Sequence, residues 1–170
     1  MAKIDEIIRV NHAGEFGAQQ IYRGQMQFLR DEEDIATVRE MKEQEDKHFQ
    51  YFNDAMVKRR VRPTVLHPLW RVAGYTLGAA TALMGKKAAM ACTVAVEEVI
   101  EEHYQEQIEA LEKEPSEKEL LAKIKQFQQE EIEHKEIGLE NEATDAPAYN
   151  LLSAAIKKAS RAAIWLSKRY

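Results

Sequence analysis

Four long stretches of this chain repeat apolar residues every third or fourth position, a period that fits α-helix and little else. Each of the four carries one glutamate inside its apolar stripe. The first stripe reads Ile4, Ile8, Asn11, Glu15, Ala18, Tyr22, Met26, Leu29; the second reads Ile35, Val38, Met41, Glu45, His48, Phe52, Ala55. A later stripe reads Met90, Val94, Glu97, Ile100, Tyr104, Ile108, Leu111, and the last reads Leu120, Ile124, Phe127, Glu131, His134, Gly138. Glu98, Glu130 and Glu133 lie off the stripes and are not counted among the candidates. With only seven Gly and four Pro in 170 residues, the expected class is all-α: a four-helix bundle with two additional helices, in a single domain over residues 1–170. Capping and proline signals place helices at about 3–30, 32–60, 67–84, 86–113, 116–142 and 147–168.

An ionised carboxylate in an apolar stripe is expensive unless a cation or a hydrogen-bonding partner holds it. Two of the four glutamates have a histidine three residues on, as Glu45-x-x-His48 and Glu131-x-x-His134. Four carboxylates and two imidazoles facing inward from four helices make the ligand set of a two-metal carboxylate site. The expected ligands are Glu15, Glu45, His48, Glu97, Glu131 and His134. Such a donor set suits redox iron or manganese better than zinc or calcium, and the spacing does not choose between iron and manganese.

Internal symmetry supports the same set. Glu15 and Glu45 are 30 residues apart, Glu97 and Glu131 are 34 apart, and a polar turn lies midway in each case. Each pair therefore sits at one height in an antiparallel hairpin, roughly 22 Å from its turn. Glu15-x6-Tyr22-x2-Gln25 recurs as Glu97-x6-Tyr104-x2-Gln107.

Weaker candidates surround these six. His12 precedes Glu15 by three and can share its face. His103 stands beside Tyr104 and is a candidate for a substrate cavity, with a partly exposed histidine as the bland alternative. Tyr22 and Tyr104 hold matched positions, either as core packing or as partners of the ligand glutamates. His67 is read as structural. Cys92, the sole cysteine, is read as a small core residue, and one cysteine allows no intrachain disulfide framework. The N-terminus resembles neither a signal nor a transit peptide.

The formal charge of −5 hides an asymmetry. Residues 55–96 hold seven Lys/Arg and no acid; residues 146–170 hold five and no acid; residues 97–145 hold seventeen acids against five bases. The acid-free segments are also apolar. Basic, apolar and tryptophan-bearing segments fit an anionic membrane surface, with Trp70, Leu77, Leu83 and Trp165 expected to face it. The alternative is a core helix capping one end of the bundle. The uncharged run 72–85 has 14 residues, short of the ~20 a spanning helix needs. No motif indicates nucleic acid.

At this point the residues resemble a known family. Arg9-Val10-Asn11-His12-Ala13-Gly14-Glu15, Arg62-Pro63-Thr64, Pro68-Leu69-Trp70, Met90 through Glu98, Glu130-Glu131-Ile132-Glu133-His134 and Ile137-Gly138-Leu139 are similar to the demethoxyubiquinone hydroxylases of ubiquinone biosynthesis. The similarity runs nearly end to end. It implies a ferritin-like monooxygenase with two iron ions on the same six residues, using O₂ as co-substrate to hydroxylate a polyprenyl quinol ring. The residues also leave open a ferritin- or rubrerythrin-like iron-handling protein without oxygenase activity. The chain carries no Gly-rich nucleotide loop after a strand, so NADH docking at the cavity, the quinol itself or a separate reductase are the open electron sources. The resemblance further implies a peripheral site on an inner membrane, on the cytoplasmic face in a bacterium or the matrix side in a mitochondrion. For eukaryotic members it implies a lipid-binding accessory protein. Self-association is left open.

Overall fold

The computed structural model describes residues 2–170; Met1, which falls within the expected domain, lies outside them. The chain is all-α, as the stripes require. Six helices run α1 (Ala2–Phe28), α2 (Glu32–Arg59), α3 (His67–Leu83), α4 (Lys86–Leu111), α5 (Lys118–Glu140) and α6 (Tyr149–Arg169), with 3₁₀ turns at Pro115–Glu117 and Ala143–Asp145. Among the described residues there is no strand. The helix order is that of a ferritin-like bundle with two additional helices. The chain packs as two compact units, one of residues up to Ala89 with Ala162–Tyr170, the other Met90–Arg161.

In the first unit α1 and α2 form a hairpin. Asp31 caps α2, accepting from the backbone N–H groups of Glu33 (2.9 Å) and Asp34 (3.3 Å). These satisfy two of the donors every helix start leaves unpaired. Acids at Glu32, Glu33 and Asp34 and bases at Lys58 and Arg59 complement the helix dipole. Helix α3 packs on α1 through small residues: a Cβ on Gly74 would sit 2.8 Å from the Gly17 carbonyl oxygen, and one on Gly78 would overlap that of Ile21. Lys86 Nζ pairs with Asp34 at 2.7 Å. The Trp70 indole N–H donates to Ser167 Oγ at 3.0 Å, and the Val65 N–H to the Tyr170 carbonyl at 2.8 Å, so the end of α6 is tied to the start of α3. Gly85, at φ 112°, turns the chain from α3 into α4.

In the second unit α5 approaches α4 at Gly138, where an added Cβ would lie 2.7 Å from Val94 Cγ2. Charged groups then fasten three helices on their outer side. Glu98 of α4 pairs with Lys157 of α6, Glu101 with Lys135 of α5, and Glu102 with Arg161 of α6 at 2.8 Å.

The stripes hold with informative departures. All six expected residues of α5 are buried. On α2 the residues Ile35 and Ala55 are half-buried, while Asp34 and Met56 are buried instead. Helix α1 buries far more than one stripe, adding Ile7, Val10, His12, Ala13, Gln19, Gln20 and Gln25, because it packs against both α2 and α3. Pro147 does not enter the first turn of α6: Ala148, at φ 52°, breaks the helical path, and α6 starts at Tyr149.

Candidate metal centre

Each unit carries one Glu, Glu-x-x-His half-site. In the first, α1 supplies Glu15 and α2 supplies Glu45 and His48, one turn apart on the same face. All three are buried. His48 Nδ1 lies 3.6 Å from a Glu15 oxygen and 3.8 Å from a Glu45 oxygen. One ligand atom from each of the three lies within 4.8 Å of the others.

The second half-site follows the same plan. Helix α4 supplies Glu97; α5 supplies Glu131 and His134. All three are buried, and Glu131 and His134 are the most completely enclosed. His134 Nδ1 lies 3.1 Å from Glu131 Oε2, and one ligand atom from each of the three lies within 4.8 Å of the others.

The donor set fits a metal on physical grounds. Two carboxylates within a few ångströms, both removed from water, repel each other strongly unless a cation lies between them. With a neutral imidazole each half-site carries a formal charge of about −2, which one divalent ion balances. Hard oxygens with imidazole nitrogen are an iron or manganese donor set.

Around the first half-site stands a ring cluster that sequence reasoning did not assemble. His67 stacks on His12 (centroids 5.0 Å, 16° between planes) and on Phe16 (4.7 Å, 8°), and His12 lies against Phe49 at 4.6 Å. Burial, with the neighbouring His67 adding to it and a hydrogen bond to Asn53 opposing it, lowers the pKa of His12 to about 4. Burial and the Arg71 guanidinium likewise lower that of His67. Both rings are therefore neutral near pH 7. His12 and Phe16, one turn apart on α1, were a legible pair; His67 comes from a distant segment that no local spacing links to them.

The remaining candidates are placed as follows. The Tyr22 hydroxyl donates to Met41 Sδ at 4.0 Å. Tyr104 and His103 are buried, so the partly exposed alternative for His103 is wrong. Its Nε2 lies 2.7 Å from Gln107 Nε2, a partner that the i, i+4 spacing could have suggested. Glu98, Glu130 and Glu133 lie outside the half-sites: Glu98 pairs with Lys157, and Glu130 accepts from Gln126 at 2.9 Å. Cys92 is buried. Of the residues expected at a membrane, Leu83 is 66% exposed and Trp165 52%, with Arg169 4.0 Å above the Trp165 ring; Trp70 and Leu77 are half-buried. Among the described residues no helix is long and apolar enough to cross a membrane. Lys157 and Arg161 reduce the basic face of α6 by pairing with α4.

Comparison with known proteins adds relatives to this geometry. The chain is 55% identical over 171 residues to the NADPH-dependent 3-demethoxyubiquinone 3-hydroxylase, mitochondrial, of Rattus norvegicus, an alignment covering 99% of this chain and 79% of the rat protein. It is 48% identical over 169 residues to the 3-demethoxyubiquinol 3-hydroxylase of Rhodospirillum rubrum, covering 99% and 79%. To the 5-demethoxyubiquinone hydroxylase, mitochondrial, of Saccharomyces cerevisiae it is 39% identical over 183 residues, covering 99% and 78%. The family model described as ubiquinone biosynthesis protein COQ7 matches residues 2–167. A match of that extent, with relatives at these identities along nearly the whole chain, places this protein in the COQ7 family of ubiquinone biosynthesis proteins.

Proposed function

We propose that this chain hydroxylates the ring of demethoxyubiquinol in ubiquinone biosynthesis, using O₂ and two iron ions held by Glu15, Glu45, His48, Glu97, Glu131 and His134. The observation that carries the reading is the pair of buried half-sites, each with two carboxylates and one imidazole. The names of the rat and Rhodospirillum relatives supply the reaction and the substrate class. Both compact units act as one functional domain in this reading.

Bound iron, once reduced, supplies the activation of O₂. The chain's own residues do the rest. Four buried carboxylates neutralise the metal charge, so that no other anion is required. His48 and His134, kept neutral, bind through nitrogen. Burial of the half-sites excludes bulk water and so limits loss of oxidising power to solvent. His103 and Tyr104 stand on α4 beyond Glu97 and are assigned to the substrate ring. Reductant comes from a reduced nicotinamide cofactor, in keeping with the NADPH in the rat relative's name.

A polyprenyl quinol remains in the bilayer, so its enzyme works at a membrane surface. The exposed Leu69, Val72, Leu83 and Trp165, beside Arg71, Lys168 and Arg169, are assigned to anionic lipid. The membrane is an inner membrane, bacterial or mitochondrial.

The test is anaerobic incubation of the iron-loaded chain with a demethoxyquinol and reductant, followed by O₂ and mass analysis of the quinone. A product heavier by one oxygen supports the proposal. No product, together with oxidation of ferrous iron in large excess over two per chain, would make the chain an iron-handling protein.

A further inference from the structure

The two half-sites share a feature outside their ligands. Four residues after Glu15 the chain has Gln19; four residues after Glu97 it has Glu101. That spacing puts each on the same side of its helix as the glutamate, one turn on. Each reaches the facing helix of its own unit. Gln19 Nε2 donates to Asp46 Oδ1 at 2.7 Å, and Asp46 directly follows Glu45. The Glu101 carboxylate pairs with Lys135, which directly follows His134. The Glu101 backbone carbonyl also accepts from Gln128 Nε2 at 3.2 Å.

The residue types differ between the halves, but the position of the link recurs. In the first half the link is not needed to satisfy Asp46. That side chain is 45% exposed and already accepts from Lys42 Nζ on its own helix, at 2.9 and 2.8 Å. Gln19, by contrast, is buried, so its amide gives up water for the contact.

What such a link adds is register. Apolar packing holds two helices together but lets them slide. A slip by one residue, ~1.5 Å along the axis, breaks a hydrogen bond of 2.7 Å. The same slip would part Glu15 from Glu45 and His48, whose ligand atoms lie within 4.8 Å of one another. Without a cation the two buried carboxylates push their helices apart, so the half-site needs a restraint that does not itself depend on the metal.

We propose that Gln19, through Asp46, and Glu101, through Lys135, are positioning residues: each fixes the height of one helix against the other, so that its half-site is assembled before metal arrives. The proposal rests on the two-metal reading above. It gives these four residues a role distinct from ligation.

The experiment titrates the full metal-free chain anaerobically with cobalt(II) alone, following the visible absorption of the bound ion. The parent takes up two equivalents. Asp46→Ala removes the acceptor and weakens one equivalent about tenfold, leaving the other unchanged. Asp46→Asn keeps a carbonyl for Gln19 and loses only the charge, so it binds as the parent does. Lys42→Met, which breaks the pair within α2, also binds as the parent does. Lys135→Met weakens one equivalent, and Asp46→Ala combined with Lys135→Met weakens both. All three positions are partly exposed, and thermal unfolding of each metal-free variant gives its stability. Equal weakening by Asp46→Asn and Asp46→Ala overturns the proposal, because charge and not the link is then what the metal feels. So does a loss of affinity that simply follows loss of stability across the variants, Lys42→Met included. The two readings fail separately. A parent chain that takes up fewer than two ions sinks the two-metal reading and the links with it; a parent with two ions and indifferent variants sinks the links alone.

Discussion

Gly78 lies so close to Ile21 that one added carbon would overlap the Ile21 carbonyl oxygen. The α1–α3 approach depends on that missing Cβ. Gly78→Ala should lower stability by about 1–3 kcal/mol, and more if the helices cannot separate. Gly17, also helical, has nothing within 4 Å of its added Cβ. Gly17→Ala should therefore gain about 0.5–1 kcal/mol from lower unfolded-chain entropy. Thermal unfolding of both variants checks the opposite signs.

Glu45→Gln should have opposite effects on metal binding and on the metal-free fold. It removes a buried carboxylate that clusters with Glu15 and His48. Iron retained after desalting should fall well below two per chain. The metal-free protein should gain about 1–3 kcal/mol, because a neutral isostere relieves like-charge repulsion. Urea unfolding with chelator, paired with anaerobic iron analysis, measures both. A variant less stable without metal than the parent would mean that the carboxylate also has a structural role.

Stability should fall in acid because of His12. Its folded pKa is about 4 against 6.5 for an ordinary histidine. Above pH 6.5 both folded and unfolded states leave the ring neutral, and the full stability is present. As pH falls through the window to about 4, the unfolded chain takes up a proton that the fold refuses. The loss is about 1.4 kcal/mol per pH unit well inside that window. The lowered pKa of His67 adds in the same direction. Urea unfolding at pH 7 and pH 5 should show this slope, and His12→Phe should reduce it.

Membrane binding should distinguish bases that look alike in the sequence. Lys157 and Arg161 are paired with Glu98 and Glu102, whereas Lys168 and Arg169 lie in the last turn of α6 beside exposed Trp165. Lys168→Glu and Trp165→Ala should each weaken cosedimentation with anionic liposomes several-fold, at about 1 kcal/mol per lost basic contact. Lys157→Glu should affect stability more than binding. High salt should weaken binding of the parent. Equal effects of Lys157→Glu and Lys168→Glu would refute this division.

The half-sites were legible because each glutamate interrupts a long apolar stripe, and a stripe fixes which way a helical residue points. Helix lengths were legible for the same reason. Pairings between distant segments were not. Nothing local to His67 links it to Phe16, and nothing in an acid-free run tells which of its bases meets an acid on another helix. Lys157 and Arg161 count among the five bases of the run 146–170, yet each meets an acid on α4. The breadth of burial on α1 was hidden because it reflects two packing partners, while periodicity along one helix reports one face. The helix expected from about 147 starts two residues later, at Tyr149, because the left-handed Ala148 separates Pro147 from it.

Burial of Cys92 makes the chain carry its own clock. It is the sole thiol, and Ala91, Val94 and Ala95 around it are as fully enclosed as it is. A thiol reagent can reach it only when this part of α4 opens. The rate at which the native protein is alkylated therefore measures the opening of the helix that carries Glu97, without any engineered label. Comparing that rate in metal-free and iron-loaded protein would report how far bound metal holds this helix shut.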